Sequence, residues 1–118
     1  MMEDLRIGNL LFTEKCDIAG TDALTLERIL IGKVAYQVVD LSAVTVRYVA
    51  IKDSSNTYLV PAELINDFDE GLIFDFTKEI VTKLIPLPKD LEKEFNRQFE
   101  AEIHAKLKAI PYWEEESY

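Results

Sequence analysis

Five apolar residues recur at every fourth position towards the C-terminus: Leu91, Phe95, Phe99, Ile103 and Leu107, separated mainly by charged or polar residues. A step of four against a helical repeat of 3.6 turns each successive side chain by about 40°, so the five sweep an arc of roughly 160° on one side of a helix. The flanking residues suit such a helix. Pro88 fits a first turn, Asp90, Glu92 and Glu94 lie near the positive N-terminal end, Lys106 and Lys108 lie near the negative C-terminal end, and Pro111 stops it. The pattern predicts one long amphipathic helix from Pro88 to about Ile110, roughly 30 Å at ~1.5 Å per residue and too long to hide inside a small domain. Its apolar side has two possible covers, the chain's own β structure or a second protein chain. Leu91, Phe95, Phe99, Ile103 and Leu107 are therefore the candidate protein-interface residues.

The residues before this stripe read as short strands. Leu5 to Thr13 gathers Ile7, Leu10, Leu11 and Phe12 around Gly8 and predicts a first strand bent at the glycine. Turn formers from Cys16 to Asp22 predict a loop, and Leu24 to Val39 is long for one strand, with Gly32 marking a bulge, a bend or a break. Thr45 to Lys52 is rich in β-branched and aromatic residues; after the turn at Asp53 to Asn56, Thr57 to Val60 returns antiparallel to it. Pro61 cannot donate a ladder hydrogen bond, so that return strand lies at an edge or stops there. Ala62 to Phe68 suits a short helical turn, Asp69-Glu70-Gly71 a second turn, and Leu72 to Phe76 the last strand. Thr77 is placed to cap a short helical stretch through Ile85, and Pro86 and Pro88 break the helix beyond that point. The expected organisation is a mainly β unit over residues 1–85 and a C-terminal amphipathic helix with an acidic tail over 86–118.

Composition narrows the classes of function. A chain of 118 residues, 48% hydrophobic and 30% charged, is the size and balance of one globular domain. Its net charge of −9 repels phosphate backbones, which argues against nucleic acid as a partner. No run approaches the roughly 18 to 20 apolar residues that span a bilayer. The acidic start, Met1-Met2-Glu3-Asp4, lacks the basic-then-apolar order of a secretory signal, and the single cysteine, Cys16, suits a reducing compartment. A cytoplasmic protein without membrane insertion is expected.

No reaction chemistry stands out. His104 is the only histidine and follows Glu100 at helical spacing, which predicts a surface ion pair rather than a proton-transfer group. No Ser or Cys pairs with it in a nucleophile motif. Asp67-Phe68-Asp69-Glu70-Gly71 misses the spacing of a calcium loop, because the glycine is fifth rather than sixth and Lys78 stands where the bidentate Glu belongs. Glycines at 8, 20, 32 and 71 form no phosphate-cradling loop. Tyr112, Trp113 and Tyr118 lie among glutamates and predict a docked or frayed tail rather than a nucleic-acid platform. The expectation is a non-enzymatic protein with no cofactor, no metal and no evident small-molecule substrate.

The order of segments resembles a known family. Leu5-Arg6-Ile7-Gly8, the strand ending Val39-Asp40-Leu41, Val46-Arg47-Tyr48-Val49-Ala50-Ile51-Lys52, Tyr58-Leu59-Val60-Pro61 followed by Leu64-Ile65, and Leu72-Ile73-Phe74-Asp75-Phe76-Thr77-Lys78 are similar to the PRC-barrel family over roughly residues 5–85. The resemblance implies a small, mostly antiparallel β-barrel. It also implies a docking module that binds partner proteins and carries no shared active site. Assembly through a protein partner or a homodimer is the leading expectation. An accessory role in ribosome or RNA processing and a small-ligand-binding barrel are the alternatives.

Overall fold

The computed structural model describes residues 3–115, with the side chain of Glu115 left aside. Its centre is an 11-residue strand, Leu30–Asp40, whose Ile31, Val34, Tyr36 and Val38 are buried. In chain order the strands are β1 (Leu5–Ile7), β2 (Leu10–Thr13), β3 (Asp22–Leu24), β4 (Leu30–Asp40), β5 (Thr45–Lys52), β6 (Thr57–Pro61), β7 (Ile65–Phe68) and β8 (Leu72–Phe74). One edge of β4 is shared by two short strands, β2 on residues 37–40 and β3 on residues 30–33, and its other edge pairs with β5. The order runs β1-β2-β4-β3-β8-β7, with β5 and β6 branching from β4. All pairs are antiparallel except β3 with β8.

The sheet does not close into the expected barrel. β6 joins only β5, and β7 joins only β8. β6 ends at Pro61, which has no N–H to donate, and the chain then makes a single 3-10 turn at Ala62–Leu64 before β7. The free edge of β6 is covered by the proline segment instead, where Tyr58 bridges Pro86 and Leu87 N–H donates to Thr57 O at 2.8 Å.

Several boundaries differ from the sequence expectation for identifiable reasons. The first strand is a hairpin, because Gly8 takes φ 59° and turns the chain between β1 and β2. The long second segment breaks at residues 25–29, not at Gly32. Gly32 lies within β4 at a register shift and lets β5 approach, since a Cβ there would stand 2.5 Å from the Lys52 carbonyl oxygen. Residues 65–68 form the edge strand β7 instead of continuing a helical turn.

The long helix is not present. The segment forms α2 (Leu91–Glu94) and α3 (Arg97–Leu107), after the four-residue α1 (Lys78–Val81) and before the single turn α4 (Tyr112–Glu115). Phe95 is extended between them, and Asn96 starts α3 afresh by accepting from the Phe99 N–H at 2.9 Å. At the other end Lys108 enters the left-handed region at φ 54° and closes α3 three residues before Pro111. The break lets Phe95 turn into the core on its own, with its ring edge-on to Phe12 at 5.2 Å. No described helix is long and apolar enough to cross a membrane.

A candidate functional site around Tyr48, Glu100 and His104

The apolar stripe finds its cover within the chain. Phe95, Ile103 and Leu107 are buried in the same core as Phe12, Tyr48 and Val60, while Leu91 and Phe99 are half-buried against it. Burying each of the first three removes apolar area worth about 1.5 to 3 kcal/mol. This packing delivers the polar residues of α3 to the sheet, where a buried cluster forms that sequence spacing alone does not show.

His104 is not a surface residue, and its expected surface pairing with Glu100 is replaced by a buried network: only 2% of His104 and 4% of Glu100 is exposed. Tyr48, fully buried on β5, donates its hydroxyl to Glu100 Oε1 at 2.8 Å, and the same oxygen accepts from Tyr112 Oη–H at 2.8 Å. Tyr48 Oη also lies 3.0 Å from His104 Nε2. A phenol has one proton to give. With that proton on Glu100, the Tyr48 oxygen accepts from His104, so the imidazole carries its hydrogen on Nε2 and presents Nδ1 as a lone pair.

That Nδ1 is buried without a hydrogen bond of good geometry, and Glu63 Oε1 of the 3-10 turn stands 3.7 Å away. Burial holds His104 below its ordinary pKa, the Ala109 carbonyl partly opposes this, and the Arg97 charge adds to it. Burial, reinforced by the neighbouring Glu100, keeps the Tyr48 phenol protonated far above its ordinary range, and the same two causes raise Tyr112.

Two arginines frame the cluster. Arg47 bonds Asp40 through Nε at 3.1 Å and through its terminal nitrogen at 3.0 Å, and its guanidinium lies 4.2 Å over the Tyr112 ring. Burial acts to raise the Asp40 carboxyl, but hydrogen bonds from Ser42 and Arg47 outweigh it and hold the group below its ordinary value. Arg97 lies 4.1 Å over the Trp113 ring and 3.8 Å from Glu100 Oε2. The expected docked tail therefore exists for Tyr112 and Trp113, held by cation–π contacts and by the Glu100 bond; Tyr118 lies outside the described residues.

Two clefts open on either side of Tyr112. The larger, about 490 Å3, runs between the Gly8-Asn9 turn, Asp40, Ser42, Arg97 and Trp113. The smaller, about 310 Å3, is walled by Thr45, Arg47, Glu63 and His104. In the β4–β5 turn Leu41 is 38% and Val44 85% exposed; Ser42 of this turn lines the larger cleft, and Thr45, which follows it, lines the smaller. Val44 also takes φ 50°, a left-handed conformation that a β-branched residue adopts only under strain.

Sequence reasoning placed Glu100 and His104 on one helix face but missed Tyr48, Arg47, Asp40 and Arg97. The one available signal was the pair of consecutive aromatics Tyr112 and Trp113 directly after the helix-stopping Pro111, a position from which they fold back on it. Compared with known proteins, the chain matches no family model and no curated protein.

Proposed function

We propose that this protein is a PRC-barrel-like interaction module that acts by protein contact rather than catalysis, and that its occupant is a second copy of the chain. The contact face is the end of the sheet bearing the Leu41–Val44 turn and the larger cleft. The observation that carries the reading is Val44, a large apolar side chain held 85% exposed in a strained backbone conformation on the same turn as Ser42, which lines a cleft with Trp113, Tyr112 and Arg97. Strain and exposure together mark sites where a further contact repays the cost. Trp, Tyr and Arg are the residue types that dominate binding energy at protein interfaces.

A projecting apolar turn and an adjoining cleft on the same face are self-complementary. A two-fold axis seats each copy's Val44 in the other's cleft, closing the assembly at two. The net charge of −9 does not oppose this approach locally, since Asp40 is paired with Arg47 and Glu100 with Arg97 on this face. The resemblance to PRC-barrels supports docking as the general role.

Light scattering across a wide concentration range tests the reading. The wild-type chain is expected to approach twice its 13.5 kDa mass, and Val44→Lys is expected to remain a folded monomer with unchanged circular dichroism. A wild-type chain that stays monomeric throughout, or a Val44→Lys variant that still pairs, overturns it.

A further inference from the structure

We propose that a third cleft, between the β5–β6 turn and the proline segment, is a binding site for a phosphate group, free or carried on a small organic molecule. It uses no residue of the Leu41–Val44 turn and stands whether or not the chain self-associates. Tyr36 of β4 lines this cleft, is only 7% exposed, and makes no hydrogen bond through its hydroxyl among the described residues. A buried donor left unmade is a cost that a fitting acceptor recovers. Burial pushes the phenol up to about 12, so at neutral pH it keeps its proton and has it to give.

The backbone builds the cleft in advance of any ligand. Tyr58 bridges Pro86 and Leu87 N–H donates to Thr57 O at 2.8 Å, which fixes the proline segment against β6. Tyr36 pairs with Ala50 across the β4–β5 ladder, and Lys52 is two residues on from Ala50, so Tyr36 and Lys52 project from one face of the sheet. Lys89 reaches the same cleft from the proline segment, and Ser54 and Ser55 border it from the turn. Neither lysine forms an ion pair among the described residues.

The balance of donors and acceptors sets the ligand. No carboxylate lines this cleft, although acidic residues outnumber basic ones by 22 to 13 in the chain and both clefts beside Tyr112 contain carboxylates. The adjoining acids are engaged elsewhere: Asp53 accepts from the Ser55 and Asn56 amides, and Asp90 accepts from the Lys93 amide. Two ammonium groups and a phenol therefore share one cleft as donors without an acceptor. Their complement is an anion with about two charges and at least three acceptor oxygens, which describes a phosphate monoester and not a carboxylate. Leu87, Pro88 and Leu91 add an apolar wall on which a small carbon skeleton can lie, and the volume of about 310 Å3 is at the lower end of pockets for small organic ligands. The net charge of −9 does not decide the matter at this range, because salt screens exposed charges beyond about 8 Å.

Amide signals of the intact 15N-labelled chain, followed during titration at neutral pH and fixed ionic strength, test the site. Phenyl phosphate is expected to move the Ser54, Ser55 and Asn56 amides saturably, and benzoate, with the same ring on a carboxylate, to bind at least about tenfold more weakly. Inorganic phosphate separates the sources: binding equal to that of phenyl phosphate assigns the site to the free ion, and weaker binding assigns it to a monoester whose carbon skeleton uses the apolar wall. Tyr36→Phe, which keeps the buried ring, and Lys89→Gln, at an exposed position that leaves the fold intact, are each expected to weaken binding by about tenfold. Lys106→Gln, on α3 and outside the cleft, is expected to bind as the wild type does. The proposal is overturned if neither phosphate moves these amides, if benzoate binds as tightly as phenyl phosphate, if Lys106→Gln weakens binding as much as Lys89→Gln, or if Lys89→Gln or folded Tyr36→Phe binds as the wild type does.

Discussion

Tyr48 Oη and His104 Nε2 are 3.0 Å apart although 56 residues separate them, and this contact joins the middle of β5 to the last helix of consequence in the chain. Around it the apolar stripe and the polar cluster are two aspects of one packing event. Ile103 and Leu107 bring α3 onto the sheet, and His104, next to Ile103, arrives buried with Tyr48 positioned to meet its Nε2 and Glu100 to take the Tyr48 proton.

Removing the Tyr48 hydroxyl tests that coupling. Tyr48→Phe preserves the ring and its burial but leaves Nε2–H of His104 without an acceptor and Glu100 with one phenol fewer. A loss of roughly 1 to 3 kcal/mol is expected, the range for a buried polar group deprived of its partner. Tyr112→Phe is expected to cost less, because Tyr112 is only half-buried and Tyr48 still serves Glu100. Urea titrations with unchanged slope and separated midpoints check the order.

The same burial gives stability a defined pH dependence. His104 has a folded pKa below its ordinary 6.5, chiefly from burial, so the folded state binds this proton less readily than the unfolded chain does. Its contribution is fully present above pH ~6.5 and is lost as pH falls through the lower folded value. Asp40 and Asp53 are likewise held below their ordinary 3.8, Asp40 by Ser42 and Arg47 against burial and Asp53 by the Asn56 and Ser55 amides, so their contributions persist above that value and fail only at more acidic pH. Thermal melts across pH are expected to show two separate declines. His104→Gln is expected to abolish the first and retain the second, the chain having no other imidazole.

How far the sequence carries this fold depends on the range of the interactions involved. The β5–β6 hairpin is legible because its alternating residues, its Asp53 to Asn56 turn and Pro61 are all local signals, and each has its counterpart in the structure. The stripe's burial is legible too, but its single helix is not. Asn96 reads as one more polar residue in the pattern, and only the geometry shows that its side chain caps a new helix. The meeting of Tyr48 with Glu100 and His104 depends on contacts across more than 50 residues that no spacing rule encodes. Gly32 shows the same limit: its place in a bulged strand is local, whereas the reason for a glycine there is the Lys52 backbone.

Asn96 supplies the next prediction. Its Oδ1 accepts from Phe99 N–H at 2.9 Å and sets both the start of α3 and the turn of Phe95 into the core. Asn96→Ala is expected to cost about 0.5 to 2 kcal/mol, and Asn96→Asp to retain most of the stability because a carboxylate caps equally well and suits the positive helix end. Guanidinium unfolding of the three proteins checks the order.

At Gly32 the expected effect is steric. A Cβ there meets the Lys52 carbonyl oxygen at 2.5 Å and its carbon at 2.9 Å, both backbone atoms that cannot rotate away. Gly32→Ala is expected to lose at least about 1 to 3 kcal/mol by forcing β4 and β5 apart. Gly8→Ala, with open space around the added methyl but φ 59°, is expected to lose only about 1 kcal/mol from the left-handed backbone. Hydrogen exchange distinguishes the two, since the first loosens the β4–β5 amides and the second only the β1–β2 turn.

Val44 separates stability from contact. An unstrained turn residue at φ 50° is asparagine or glycine, so Val44→Asn is expected to raise the unfolding free energy of the monomer by roughly 1 kcal/mol. The same change removes the apolar projection of the turn whose Ser42 lines the larger cleft, and self-association is expected to weaken. The two effects have opposite signs, which is what a residue kept strained for the sake of a partner should give. Melting at low concentration reads the first and sedimentation at high concentration the second. A variant that is more stable and associates as well as the wild type would show that the strain serves no contact.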